Sequence, residues 1–312
     1  MAINKAMQSA LKALTHLDWD VKKTYKTQRQ IENLSAKIPV LPLDYKIWDK
    51  KITCGDHDVP VRVFASGNPV TADRPPHVLV FFHGGGWVLG NIDTYKNTCM
   101  AMAKLTNCMV VSVDYRLAPE YRFPAAAEDC YAAAREIFTG GILGTSPENI
   151  TLIGDSAGGN LAAAVSQMAR DRHEFNVPRQ ILIYPAVNNC HDETSQFPSV
   201  KENGTDYLLS SKRVAALLDM YKSSEADLCN PYFAPLVTKN FNNQPKTLII
   251  SAEFCPLRDE GEYYGIKLKE AGNDVIIYRM KDAIHGFLSF PPGFSQVKKA
   301  YAVIKDFLRD YT

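Results

Sequence analysis

One six-residue stretch constrains this chain more than any other. Gly154-Asp155-Ser156-Ala157-Gly158-Gly159 carries the pattern G-x-S-x-G. The residues before it, Ile150-Thr151-Leu152-Ile153, are β-branched and apolar and read as a buried strand. The residues after it, Asn160 to Val165, are rich in helix formers. Strand, tight turn and helix together form the setting in which a serine is presented as a nucleophile. Such a turn strains the serine backbone. The flanking glycines are needed because side chains there would strike the adjacent strand and helix. The helix N-terminus adds a positive dipole end where an oxyanion would form.

The rest of the chain repeats the same alternation. Strands are expected at Tyr45–Cys54, Val59–Ala65, His77–Phe82, Cys108–Val113, Gln180–Tyr184, Thr247–Ser251 and Val275–Tyr278. The first two are joined by the loop Gly55-Asp56-His57-Asp58. Helices are expected near Tyr95–Leu105, Phe123–Phe138, after the serine to about Arg172, Asp259–Ala271, and on the last stretch with Val297, Tyr301, Ile304 and Leu308 on one face. Repeated βα units imply a mostly parallel sheet with helices on both faces. Residues 188–232 break the pattern and hold a helix with Ser210 as its N-cap. Residues 1–17 place Ile3, Met7, Leu11 and Leu14 on one helical face, and residues 20–36 read as a polar helix. This pair reads either as surface helices or as a lid.

Composition excludes several classes. A net charge of +1 gives no general bias toward nucleic acid or anionic membrane. The seven cysteines are scattered without a C-x-x-C pair, which points to reduced thiols, a cytoplasmic protein and no zinc ribbon. Met1 to Leu14 is interrupted by Lys5, Gln8 and Lys12 and does not read as a signal peptide. No stretch approaches the ~20 apolar residues of a membrane span, so no stable membrane insertion is expected.

Four stretches fall at strand C-terminal ends, where open α/β sheets place their sites. Ser156 needs a base to take its proton. His285, in Asp282-Ala283-Ile284-His285-Gly286-Phe287, is the natural one. The consecutive glycines of His83-Gly84-Gly85-Gly86 can turn backbone N–H groups toward a ligand oxygen, with the Ala157 N–H as the other half of an oxyanion hole. A P-loop is excluded because no Gly-Lys-Ser/Thr follows. Trp87 and Asn91 are expected at the pocket floor. The fourth stretch, Ala252 to Glu260, is where a carboxylate that orients His285 is expected.

These motifs together resemble the hormone-sensitive-lipase-like branch of the α/β-hydrolases, the bacterial carboxylesterases in particular. The matching pieces are His83-Gly84-Gly85-Gly86-Trp87, Val113 to Glu120, Phe123-Pro124-Ala125-Ala126, Gly154 to Gly159, Asn230–Leu236, Pro256-Leu257-Arg258-Asp259 and His285-Gly286-Phe287. The resemblance implies an eight-stranded sheet forming a single domain over residues 1–312, with a helical cap from about 1–42 and about 188–228. It implies Ser156 as nucleophile, His285 as base, and an oxyanion hole from Gly84, Gly85, Gly86 and Ala157. Asp114 to Glu120 would brace the loops beneath. Substrates would be small esters with short to medium acyl chains, hydrolysed without metal or cofactor. Members often dimerise through the last strand and helix, which leaves a homodimer open for this chain.

One departure matters. The branch has Asp-Pro-Leu at the acid, and here Cys255 precedes Pro256. Cysteine is a weak acceptor and a mostly neutral thiol at pH 7. Glu253 or Asp259 could reach His285 instead, the enzyme could run on a weakened dyad, or the cysteine is an introduced substitution. The reading adopted puts Cys255 in the acid slot, with any compensation from Glu253 or Asp259. The rival is a ligand-binding protein on a decayed hydrolase scaffold.

Overall fold

Apolar strands that are buried on both faces dictate the architecture. The computed structural model describes residues 20–36, 45–67, 77–140 and 143–309; the amphipathic stretch 1–17 lies outside them. The chain enters through helix α1 (Val21–Ala36) and an antiparallel hairpin, β1 (Tyr45–Cys54) and β2 (His57–Ser66). Then come β3 (Val78–Phe82), α2 (Lys96–Thr106), β4 (Met109–Val113) and α3 (Ala125–Thr139). The centre is β5 (Ile150–Asp155), α4 (Ala157–Arg172) and β6 (Arg179–Ile183). An insertion carries the short α5 (Pro198–Glu202) and α6 (Ser211–Tyr221). The chain closes with β7 (Lys246–Phe254), α7 (Arg258–Glu270), β8 (Val275–Ile284) and α8 (Ser295–Leu308).

The eight strands form one sheet in the order β1-β2-β4-β3-β5-β6-β7-β8. β2 runs antiparallel to both β1 and β4, and every later pairing is parallel. Every residue of β3, β4, β5 and β6 is buried, as strands covered on both faces by helices are. Parallel order puts the C-terminal ends of β3, β5, β7 and β8 on one side of the sheet. The expected α/β-hydrolase architecture is therefore present.

Outside β5, three strand boundaries differ from the sequence expectation by more than one residue. The hairpin turn is only Gly55-Asp56, because His57 and Asp58 pair with Cys54 and Thr53. β7 runs on to Phe254 and β8 to Ile284. β8 is an edge strand, so polar residues such as Arg279 and Lys281 alternate outward without ending it. Ser210 caps α6 as expected, accepting from the Arg213 amide at 3.1 Å.

The hairpin is pinned to α3. His57 Nε2 lies 2.8 Å from Asp129 Oδ1, and Arg116 grips both oxygens of the same carboxylate. Cys54 joins His57 and Asp129 within 4.8 Å, but Asp129 already neutralises a guanidinium, so the cluster reads as a brace. Helix α1 lies on α6, tied by Lys22 to Asp219 and by Arg213 to Gln28 at 2.6 Å. Among the described residues no helix is long and apolar enough to cross a membrane.

Candidate active site

Ser156 stands alone between the end of β5 and the start of α4, with φ 56° and ψ −118°. That left-handed conformation is strained for a residue with a Cβ. It is held by three backbone bonds: Ser156 N donates to Ile183 O at 2.9 Å, and Ser156 O accepts from Asn160 N and Ala186 N. The turn is tight enough to demand glycine. A Cβ on Gly158 would sit 1.9 Å from the Phe82 carbonyl oxygen, and one on Gly154 2.1 Å from Gly158 O.

His285 follows directly after β8. Its Nε2 lies 2.9 Å from Ser156 Oγ, across 129 residues of sequence. Its Nδ1 lies 3.1 Å from Cys255 Sγ. With the serine hydroxyl donating to Nε2, the ring proton belongs on Nδ1 and points at sulfur. Leu257 N donates to the same sulfur at 3.4 Å. Burial pushes the His285 pKa down to about 3 and the Cys255 thiol pKa up. Both groups are therefore uncharged at neutral pH. Cys255 orients the imidazole but brings no negative charge to it. The ring of Tyr184 packs on the imidazole with centroids 4.8 Å apart.

The two carboxylates expected to compensate are bonded elsewhere. Glu253 is in β7, and its Oε2 accepts from Asp282 N at 2.7 Å. It thereby fixes the residue at φ 54° that turns the chain toward His285. Asp259 accepts from Arg258 Nε and from Ser199 N, both at 2.7 Å.

The glycine loop after β3 divides its roles differently from expectation. Gly84 was expected among the oxyanion donors, but its N–H donates to Asp155 Oδ1 at 2.8 Å. That carboxylate is 2% exposed and also takes the hydroxyls of Tyr95 and Tyr184. Its burial raises the Asp155 pKa to about 7. Gly85 and Gly86 have φ of 115° and 63°. Gly85 O closes the turn by accepting from Val88 N and Leu89 N at 3.2 and 2.8 Å. The Ala157 N–H, in the first turn of α4, has no intrahelical acceptor. Trp87 does not line an open floor. It is buried in a stack on Tyr221, with centroids 4.6 Å apart, and Tyr221 stacks on Phe233. Asn91 is a turn residue: its Oδ1 accepts from Asp93 N and Thr94 N, and its amide reaches Asn33 of α1. The bracing expected of Asp114 to Glu120 is visible in Tyr115 Oη donating to His83 O and Ala118 N to Trp87 O. Asp155 and Tyr184 were not singled out from sequence. A buried acid directly before the serine was the available signal for the first.

A family model described as the alpha/beta hydrolase fold matches residues 79–289. The chain belongs to the α/β-hydrolase family, in its hormone-sensitive-lipase-like branch. As an α/β-hydrolase it is 36% identical over 287 residues to an arylesterase of Saccharolobus solfataricus, covering 90% of each chain. It is 30% identical over 270 residues to an ethyl acetate hydrolase of Pseudomonas putida, covering 85% of this chain and 83% of that one. Among solved structures it superposes on a hyperthermophilic esterase from the archaeon Pyrobaculum calidifontis with a TM-score of 0.84 and 36% identity, over 99% of both chains. This α/β-hydrolase is a carboxylic ester hydrolase acting on small-molecule esters.

Proposed function

We propose that the reaction runs through an acyl-enzyme on Ser156. The serine oxygen bonds to the ester carbonyl carbon while its proton passes to His285 Nε2. The carbonyl oxygen becomes an oxyanion held by the N–H groups of Gly85, Gly86 and Ala157. The carbon–alkoxy bond then breaks, and the alcohol leaves with the His285 proton. Water repeats the sequence and releases the acid. The observation that carries this reading is the 2.9 Å contact between Ser156 Oγ and His285 Nε2 at a strained elbow.

Cys255 occupies the acid slot in this reading. It fixes the imidazole tautomer but leaves the transient imidazolium without a counter-charge, so the enzyme is slower than its fold permits. Helix α1 and the segment near 188–228 act as a cap on a single domain. Contact of α6 with the glycine loop supports this: a Cβ on Gly86 would lie 2.5 Å from Leu217 Cδ1. A closed cap and the ethyl acetate hydrolase relative support short- to medium-chain acyl esters as substrates. The seven unpaired cysteines support a cytoplasmic location. Ile276, 43% exposed on the edge strand β8, supports a homodimer through β8 and α8, which sedimentation would read directly.

The test is hydrolysis of p-nitrophenyl acetate and butyrate by the wild type and by Ser156→Ala. The wild type should turn both over and the variant neither. Equal rates for the two proteins would remove the serine mechanism.

A further inference from the structure

Of the α1 side chains that meet the catalytic loop, Arg29 makes the most bonds. Arg29 Nε donates to Val88 O at 2.7 Å, and Nη2 donates to Ala118 O at 2.7 Å. Glu120 accepts from Nη1 and Nη2, each at 3.0 Å, and holds the guanidinium in plane. Val88 O is not an incidental acceptor. It is one end of the Val88–Leu89 peptide plane, whose other end, Leu89 N–H, donates to Gly85 O at 2.8 Å. Gly85 O is in turn one end of the Gly85–Gly86 plane, and the opposite end of that trans plane is the Gly86 N–H.

We propose that Arg29 is a positioning residue for the oxyanion hole, orienting and polarising the Gly86 N–H through the peptide planes of Val88–Leu89 and Gly85–Gly86. The inference rests on the serine-esterase reading, in which Gly86 is an oxyanion donor. A cation at the head of a hydrogen-bonded peptide chain polarises each link in the same sense, so the last N–H becomes a stronger donor. The geometry also fixes direction. Gly86 has φ 63° and no side chain to limit its rotation, so the orientation of that plane depends on what its carbonyl end is bonded to. A second α1 contact, Gly90 N to Glu32 Oε2 at 3.3 Å, holds the far side of the same loop. The guanidinium, paired with Glu120, sits on α1, and the donor it orients sits in the loop after β3. Cap docking and transition-state stabilisation are thereby coupled.

The experiment compares Arg29→Ala, Arg29→Lys and Gln28→Ala with the wild type. Gln28 also ties α1 to α6, through Arg213, but makes no bond to the loop. Two readouts are taken: kcat and KM for p-nitrophenyl butyrate, and the affinity of an aryl trifluoromethyl ketone, whose serine adduct places an oxyanion in the hole. Removing an oxyanion donor outright costs on the order of 10² to 10³ in kcat. Misaiming one should cost about 10-fold. Arg29→Ala should therefore lose about 10-fold in kcat with KM changed less than about twofold, and ketone affinity should fall by a matching factor. Arg29→Lys, which supplies no planar fork, should fall between. Gln28→Ala should keep wild-type kcat. Wild-type kcat and ketone affinity in Arg29→Ala would overturn the inference, as would equal losses in Arg29→Ala and Gln28→Ala. An inactive wild type would instead sink the esterase reading beneath it. Should Arg29→Ala not fold, Arg29→Lys with unaltered kcat and ketone affinity overturns the inference on its own.

Discussion

Cys255 Sγ lies 3.1 Å from His285 Nδ1, at the end of β7 where this branch of hydrolases carries an aspartate. The backbone around it is set for an acid: Leu257 N–H already points at the same atom. A carboxylate there would gain that amide and the imidazole as donors. Cys255→Asp should therefore raise kcat by about 10²-fold, within the range that a triad acid is worth. Cys255→Ala should cost only about threefold, since an uncharged thiol supplies orientation and no charge. Stopped-assay kinetics on p-nitrophenyl butyrate decide it. A Cys255→Ala loss comparable to that of Ser156→Ala would show the thiol to be essential.

The pH profile follows from the same pair. In the proposed mechanism His285 works as a neutral base, and burial holds its pKa at about 3. A lowered pKa keeps the neutral form to lower pH, so kcat/KM should stay level from neutral pH down to about pH 4 and fall below it. In Cys255→Asp the new charge favours the imidazolium, and the acid limb should move up toward the ordinary histidine range. A wild-type midpoint near pH 6.5 would contradict this.

Stability should depend on pH through His77, His83 and His285. Burial pushes His77 and His83 down to about 4. The unfolded chain binds protons near pH 6.5, so it takes them up before the folded chain does. The stability tied to neutral histidine is full above about pH 6.5 and is lost as pH falls toward about 4. Asp155, raised to about 7, acts in the opposite sense over part of that range, as do the smaller upward shifts of Glu32, Asp114 and His57, against the large downward shifts of His77, His83 and His285. The urea midpoint at pH 4.5 should therefore lie below that at pH 7. Equal midpoints would refute the assignment.

Glu253 should prove to be a support for the histidine loop. Its carboxylate accepts the Asp282 amide, and losing that acceptor strands a partly buried N–H at a cost of about 1 to 3 kcal/mol. Glu253→Ala should lower kcat about fivefold by loosening the approach to His285. Glu253→Gln retains an oxygen acceptor and should stay near wild type. Equal effects of the two would point to charge instead of the amide bond.

Trp87 should be the costliest single aromatic. It is buried against Tyr221 and Phe233 with parallel rings. Trp87→Ala should lose about 3 to 5 kcal/mol in urea unfolding and also reduce turnover, because the residue follows Gly86. A loss below about 1 kcal/mol would mean that the stack carries little.

The sequence showed the buried strands, the elbow and the Ser156–His285 pairing because each has a local signature. Apolar runs mark β3, most of β4 and β5 and the second half of β6, and glycines flank the elbow because a Cβ at Gly158 would meet Phe82 O and one at Gly154 would meet Gly158 O. The strand ends on the β7–β8 side of the sheet were less legible. The ends of β7 and β8 carry polar residues that a period-based reading takes as loop, and this placed Glu253 in the acid loop instead of the strand. Gly84 could not be told from its neighbours, because which amide meets Asp155 is set by the approach of β3 to β5. Arg29 had no signature at all. A polar helix reads alike whether its arginine faces water or the Val88 carbonyl.

The position of Leu217 against the α-carbon of Gly86 has a consequence for how such enzymes change. The segment proposed as the cap rests on the turn proposed to stabilise the transition state. Grafting the 188–228 stretch of a relative onto this scaffold would therefore alter speed along with selectivity, and evolution cannot tune either one alone.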